Sequence, residues 1–407
     1  MAGALTEPRL LDEDFLRDPY PAYRKLREAG PLHWSDEFHG GAWLLTRHAD
    51  VESALRDPRL SAQRTGGWVM DAGAGERAEL RPFQRLFARA LLFLDEPDHQ
   101  RLRQLMLPAF RPQRLADLKP VIERLVDELL AAFVPGERID FMDRIARPLP
   151  TRVIACLLGL DAGREADFMA WSDELAAFIG APQPTAEQAR TAQRSLLQMA
   201  DYFERDLLPR RLHEPADDLL SLFARAQADG QIESGAELLA QCCMLLFAGY
   251  ETTRNLLANG MLTLLTQREQ WQRLCTDPSL AAGTVRELLR YDSPVQWTGR
   301  RVAVEHVRHE QRLRRGDLLL CLIGSANRDP ARHDEPDRLE IARSNPGALS
   351  FGSGPHVCIG AALTQIEGQI LFGALATRHP EIRLAAEPLR NGNPVYRGVR
   401  ALPIHWA

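Results

Sequence analysis

Apolar residues recur at helical spacing through most of this chain and alternate only in short stretches. Tyr20–Ala29 reads as a helix with Pro21 in its first turn. Leu32–Trp34 and Ala42–Thr46 read as strands around Phe38-His39-Gly40-Gly41, a hairpin signal, and His48–Leu55 reads as a helix. Residues 60–92 carry mixed signals, with Gly66-Gly67-Trp68 and Asp71–Glu76 irregular. Helical patterns follow at about 118–134, 149–158, 162–179, 185–208 and 215–228, punctuated by Pro135-Gly136, Pro148, Pro150, Pro182 and Pro184. Ser234-Gly235-Ala236-Glu237 is a capping-box signature. It opens an apolar pattern that runs to about Leu265, and a helix of roughly 30 residues is about 45 Å long. Trp297–Val304 and Leu313–Ile323 read as strands, and Asn327-Arg328-Asp329-Pro330 as a turn. The pattern predicts a mainly α fold with a smaller β region.

Two stretches break their own pattern. The long helix contains Ala248-Gly249-Tyr250-Glu251-Thr252-Thr253, a poor helix centre. A glycine there costs about 1 kcal/mol against alanine, and a threonine hydroxyl can bond back to the carbonyl one turn earlier. Ala248 and Gly249 would let a flat ligand lie against the helix. The second stretch is Phe351-Gly352-Ser353-Gly354-Pro355-His356-Val357-Cys358-Ile359-Gly360, which runs into the apolar segment Ala361–Ala376. Three glycines and a proline predict a tight loop. Cys358 falls at or near the helix start, where backbone N–H groups favour a thiolate. Gly354 and Gly360 leave room for something flat and bulky.

Charge adds candidates. His99 and Arg103 are four apart on one helix face, which suits either a pair of carboxylates or a solvated basic face. Glu287 and Arg290 share a face and lie among apolar residues, unlike Glu187/Arg190 and Glu305/Arg308. Arg300 and Arg301 are neighbours in a strand and must face opposite ways. The chain has 407 residues, 45% hydrophobic and 26% charged, an ordinary globular composition. Its net charge of −5 argues against nucleic acid as the main partner. No apolar run is long enough for a membrane anchor, and the acidic Met1–Asp14 is no signal peptide. The cysteines, Cys156, Cys242, Cys243, Cys275, Cys321 and Cys358, show neither zinc spacing nor a disulfide framework. A reducing cytoplasm is expected.

Taken together, the Phe-Gly-x-Gly-x-His-x-Cys-x-Gly loop, Asp95-x-Pro97-x-His99-x-x-x-Arg103, the broken long helix and Glu287-x-x-Arg290, in that relation to one another, resemble the cytochrome P-450 family over essentially the whole chain. The resemblance implies one domain over 1–407, a triangular helical body with haem b sandwiched between the long helix and the cysteine loop. Residues 30–60, 295–325 and 393–404 would supply the β region. It implies a soluble bacterial monooxygenase that inserts one atom of O2 into a small apolar organic substrate. Cys358 would ligate the iron. Cofactor contacts would come from His99, Arg103, Ala248, Gly249, Arg301, Phe351, Gly352, His356 and Gly360. Arg301 is preferred over Arg300 because Arg301-Val302-Ala303-Val304-Glu305 resembles the family's run. Thr252 would hold a water or dioxygen, and Glu251 would relay protons. Tyr250 replaces a His often found before the acid. Glu287, Arg290 and Arg338 would form a structural network.

Glu251-Thr252 also points to dioxygen and an electron donor, since peroxide-using relatives typically carry Arg-Pro there. The donor is expected to be a ferredoxin with its reductase, docking near Arg101, Arg111 and Arg114. Residues 60–92 would form part of a lid. Trp68, Phe83, Phe87, Phe93, Phe178, Phe247 and Trp297 are candidates for an aromatic pocket or for plain core. Two alternatives stand beside this: a haem-binding sensor, and a hydrolase using Cys358 as nucleophile with His356.

Overall fold

The computed structural model describes residues 9–38, 40–63, 78–344 and 347–406. Trp68, with the irregular stretches around it and His39 of the hairpin turn, lies outside the described residues. The helix Gly235–Thr266, 32 residues long, runs through the largest apolar core. Ser234 caps it by accepting the Glu237 N–H at 3.2 Å. The reciprocal half of the capping box is absent: the Glu237 carboxylate accepts the Glu233 N–H at 2.8 Å instead. The helices Pro148–Leu158, Glu165–Ile179, Ala186–Asp201, Ala281–Tyr291 and Ala361–Arg378 pack against it.

Most helices begin and end as the pattern predicts, and two departures have a physical cause. One helix spans Pro112–Leu130, starting well before residue 118, because Pro112 and not Pro120 sits in its first turn. The pattern over 185–208 is interrupted after Asp201 by a wider π turn, Tyr202–Leu207, before Leu208–His213. Pro209 has no N–H to give and crowds the carbonyl four residues back, which is what an expanded turn relieves.

A five-stranded sheet sits beside the helices. Its order is Leu32–Ser35, Ala42–Leu45, Leu318–Cys321, Thr298–Val302 and Leu60–Ser61. Only Ala42–Leu45 with Leu318–Cys321 is parallel. Arg300 pairs with Leu319 and Arg301 with Leu318, so the two arginines leave the sheet on opposite faces. Residues between these strands form a separate hairpin, His306–Arg308 with Gln311–Leu313. A small sheet joins Arg138–Asp140, Pro403–His405 and Arg383–Leu384. The expected return strand over 393–399 is a shorter Val399–Ala401, paired with Leu389–Arg390. Of the aromatics offered for a pocket or for core, those among the described residues are core. Phe87 packs on Phe83 and Phe93 with ring centroids 5.0 and 4.6 Å away, and Phe83 meets Phe178 at 5.2 Å. Trp297 packs on Phe15 and Phe38, and Phe247 on Tyr396.

Among the described residues no helix is long and apolar enough to cross a membrane.

Candidate active site

A cavity of about 250 Å³ opens between the middle of the long helix and the cysteine loop. Ala248 and Thr252 form part of one wall, and Phe351, Gly352, His356 and Cys358 part of the opposite one. The loop owes its shape to glycine: Gly352 and Gly354 both adopt φ +74°, a conformation that other residues rarely take. A Cβ on Gly354 would stand 3.0 Å from the Leu55 carbonyl oxygen, so this glycine seats the loop on the helix His48–Arg56. Cys358 N donates to Phe351 O at 2.9 Å and closes the turn. Gly354 and Gly360 do not line the cavity. Gly360 acts through its backbone: its N–H and that of Ala361 point at the cysteine sulfur.

Cys358 is exposed by area, yet protein crowds it; the exposed surface faces the cavity. Burial pushes its thiol up, while the Gly360 N–H, the Arg103 guanidinium and the Ala361 N–H pull it back. The helix macrodipole alone therefore does not make it a thiolate. A bound metal ion would, because coordination deprotonates a thiol outright.

Three donors face the space beside the sulfur: His99, Arg103 and Arg300. His99 is buried, and its Nε2 has no hydrogen-bond partner. Its ring packs at a tilt of 37° against His356, with centroids 4.0 Å apart. Burial pushes the His99 imidazole down, against the upward pull of Glu96. Burial also lowers Arg103 and Arg300. Neither arginine has a carboxylate within ion-pair reach among the described residues. A buried guanidinium (Arg300) and a half-buried one (Arg103), both without counter-ions, call for an anionic ligand. An imidazole nitrogen without a partner and two guanidiniums without carboxylates, beside one thiol, fit an iron porphyrin, which brings a metal for the sulfur and two carboxylates for the donors.

Arg301, preferred from sequence, is not among these donors. It donates to Gly316 O at 2.9 Å on the outer face of the sheet. Gly249 also departs from expectation. A Cβ there would stand 2.7 Å from Ile154 Cδ1. Its hydrogen faces the helix Pro148–Leu158, and Ala248 alone of the pair lines the cavity.

Thr252 faces the cavity and donates to the Ala248 carbonyl at 3.2 Å, the back-bond its position predicts. Glu251 does not line the cavity. It is buried, accepts from Asn255 Nδ2 at 2.9 Å, and its Oε2 lies 2.6 Å from Arg254 Nη2 without an aligned hydrogen bond. Arg254 also holds Asp173 at 2.5 Å and donates to the Tyr250 hydroxyl at 2.9 Å. Burial pushes the Glu251 carboxyl up, and Arg254 draws it back down.

The structural network has a different third member. Arg290 donates twice to Glu287, at 2.8 Å each, in a fully buried pair. Arg343 Nε reaches both Glu287 oxygens at 3.2 Å. The Arg338 side chain points out to Glu335 at 3.1 Å, and only its backbone carbonyl accepts from Arg290. Nothing in the spacing separates Arg338 from Arg343. Only the folded positions tell them apart: the Arg338 side chain lies in solvent, and the Arg343 side chain lies against the buried Glu287. Of the basic patch, Arg101 is bound to Glu237 at 2.6 Å and Arg114 to Asp217, which leaves Arg111 without an acid partner among the described residues.

A helical body with a cysteine loop facing the middle of a long central helix, and cationic donors flanking the sulfur, defines a haem-thiolate protein. The comparisons with known proteins agree. The sequence profile of the family described as Cytochrome P450 matches residues 72–378. The chain is 38% identical to Cytochrome P450 107B1 of Saccharopolyspora erythraea, over 99% of this chain and 98% of that one. It is 36% identical to the Vitamin D(3) 25-hydroxylase of Pseudonocardia autotrophica, over 97% and 95%. The crystal structure of CalO2 superposes with a TM-score of 0.89 at 34% identity, covering 99% of both chains. This chain belongs to the cytochrome P450 family. It is a monooxygenase that uses haem, O2, an organic substrate and an electron-supplying partner.

Proposed function

We propose that this monooxygenase oxidises a neutral, largely aliphatic molecule, with Cys358 as the iron's protein ligand. The observation that carries the reading is one cavity with two unlike walls. Cys358 lies in one, and Ala248 and Thr252 in the other. Leu91, Leu92, Met244, Leu245, Val295 and Ile323 also line it, and among the described residues its charged or titratable groups are those beside the sulfur. A substrate there finds apolar contact and no counter-ion. The vitamin D3 25-hydroxylase, by its name, acts on a molecule of this bulky apolar kind.

Haem, when bound, supplies an iron that activates O2 for insertion into a substrate bond. The chain's own residues do the rest. His99 Nε2, Arg103 and Arg300 would hold the propionates, with the His356 ring packed against His99. The Gly360 and Ala361 N–H groups withdraw charge from the sulfur and so tune its donation. Thr252 Oγ releases its back-bond to Ala248 and presents its proton to the cavity. Glu251 carries protons inward only after leaving Arg254, because in this structure it is bound away from the cavity. Electrons come from a separate ferredoxin with its reductase, docking near the exposed Arg111. The whole chain acts as one domain in the cytoplasm.

The test is spectroscopic. The purified protein should carry haem, and its reduced carbon monoxide adduct should show the red-shifted Soret band of a thiolate ligand. A protein that takes up no haem, or an adduct with a histidine-type Soret band, refutes the assignment. A set of neutral macrocyclic and polycyclic compounds should shift the spin state more strongly than charged ones.

A further inference from the structure

Gln241 is a buried amide in an apolar stretch of the long helix, and it borders the cavity. Its Oε1 accepts the Leu91 N–H at 2.8 Å. Its Nε2 donates to Arg89 O at 2.6 Å and to Glu237 O at 3.1 Å. All three partners are backbone groups of fixed character, so they also fix which end of the amide is oxygen. Leu91 and Leu92 line the cavity, and their neighbour Phe93 is anchored in the core against Phe87. The short turn Leu91–Phe93 is thus held at one end by Gln241 and at the other by Phe93. One turn earlier on the same helix face, Glu237 grips Arg101 at 2.6 and 3.1 Å. Arg101 belongs to the helix Asp98–Met106, which carries His99 and Arg103. Two side chains four residues apart therefore tie successive parts of one segment to the long helix. Glu237 steadies the part beneath, and Gln241 the part that meets substrate.

We propose that Gln241 is a positioning residue that sets the shape of the substrate-facing wall by holding Leu91 and Leu92 in place. This rests on the haem-and-substrate reading of the cavity. An apolar residue at this position leaves the Leu91 N–H and the Arg89 carbonyl without partners, and the segment must shift to pair them elsewhere. The leucines then no longer meet an aliphatic group at the same place.

The experiment uses haem-loaded protein and two probes, imidazole and octylimidazole, titrated by the shift of the Soret band. Imidazole reports the iron alone, and the ratio of the two dissociation constants isolates the contact made by the alkyl tail. Gln241→Leu should leave imidazole binding unchanged and reduce the tail's advantage by about fivefold or more. Gln241→Glu provides a second reading that does not depend on the first variant folding. A protonated carboxyl can donate to Arg89 O and accept from Leu91 N, whereas a carboxylate cannot donate. Its tail advantage should match the parent protein at low pH and fall as pH rises, while that of Gln241→Leu stays low throughout. A tail advantage within about twofold of the parent in both variants at every pH overturns the proposal. Protein that binds no haem overturns the reading of the cavity instead, and the proposal with it.

Discussion

Arg300 and Arg301 are adjacent in one strand, yet Arg300 lines the cavity while Arg301 donates to the Gly316 carbonyl at 2.9 Å on the other face. Arg300 is buried with no ion-pair partner among the described residues, and it donates only to the carbonyl of its neighbour Gly299. A guanidinium in that state is worth most when an anion arrives. Arg300→Leu should therefore lose haem at least about tenfold more readily, and Arg301→Leu should retain it to within about twofold. The rate of haem transfer to apomyoglobin measures both. Equal loss from the two variants would remove Arg300 from the site.

Cys358→Ser replaces a sulfur that the Gly360 and Ala361 N–H groups address directly. The reduced carbon monoxide adduct should lose the red-shifted Soret band, and turnover should fall below detection. A retained band would mean that some other group ligates the iron.

Thr252→Ala removes the hydroxyl that faces the cavity, and with it the back-bond to Ala248. The variant should keep haem and substrate affinity and continue to consume reducing equivalents. Product per electron pair should fall by about tenfold or more, with peroxide in its place. Undiminished coupling would show that the Thr252 proton is not used.

Glu287 is the shared acceptor of Arg290 and Arg343, and all of its bonds are made inside the protein. Glu287→Gln leaves a buried guanidinium without its charge partner, a loss of roughly 3–5 kcal/mol. Arg343→Ala should be felt through the same acid. Arg338→Ala, at an exposed side chain, should change stability by no more than about 0.5 kcal/mol. Urea unfolding followed by circular dichroism ranks the three, and an Arg338 effect as large as that of Arg343 would contradict the geometry.

His333 is buried, with its Nε2 unpaired, and its pKa is pushed down from 6.5 to about 3 by desolvation and then by Arg290, His48, Arg332 and Arg343. Between those two values the unfolded chain binds a proton that the folded chain refuses. Stability should then fall as pH drops through that window, with nothing lost above it. His333→Asn should flatten that part of the urea midpoint against pH curve. An unchanged slope would place the acid sensitivity elsewhere.

Features that depend on neighbours in sequence were legible beforehand. The helix Tyr20–Ala29 has the predicted bounds, and Ser234 caps the long helix as its type and position predict. The cysteine loop declared itself through glycines whose φ values no other residue easily takes. What failed depended on direction. Strand parity left Arg300 and Arg301 equivalent until Leu318 and Leu319 fixed the register. Composition offered Phe83, Phe87 and Phe178 for a pocket or for core without saying what they face, and they face one another. Gln241 gave no sign at all, because an amide in an apolar helix looks like a lapse in the pattern until its backbone partners are known.

Gly249 has a further consequence for anyone who wishes to redesign this enzyme. With Ile154 atoms 2.7 and 2.8 Å from where its Cβ would be, the long helix is seated as deep as contact allows, on the side away from the haem. Headroom above the iron is therefore governed from the dry side. Gly249→Ala should crowd the cavity by nudging Ala248 and Thr252 inward, and Ile154→Ala should undo it without altering a single group that substrate can touch.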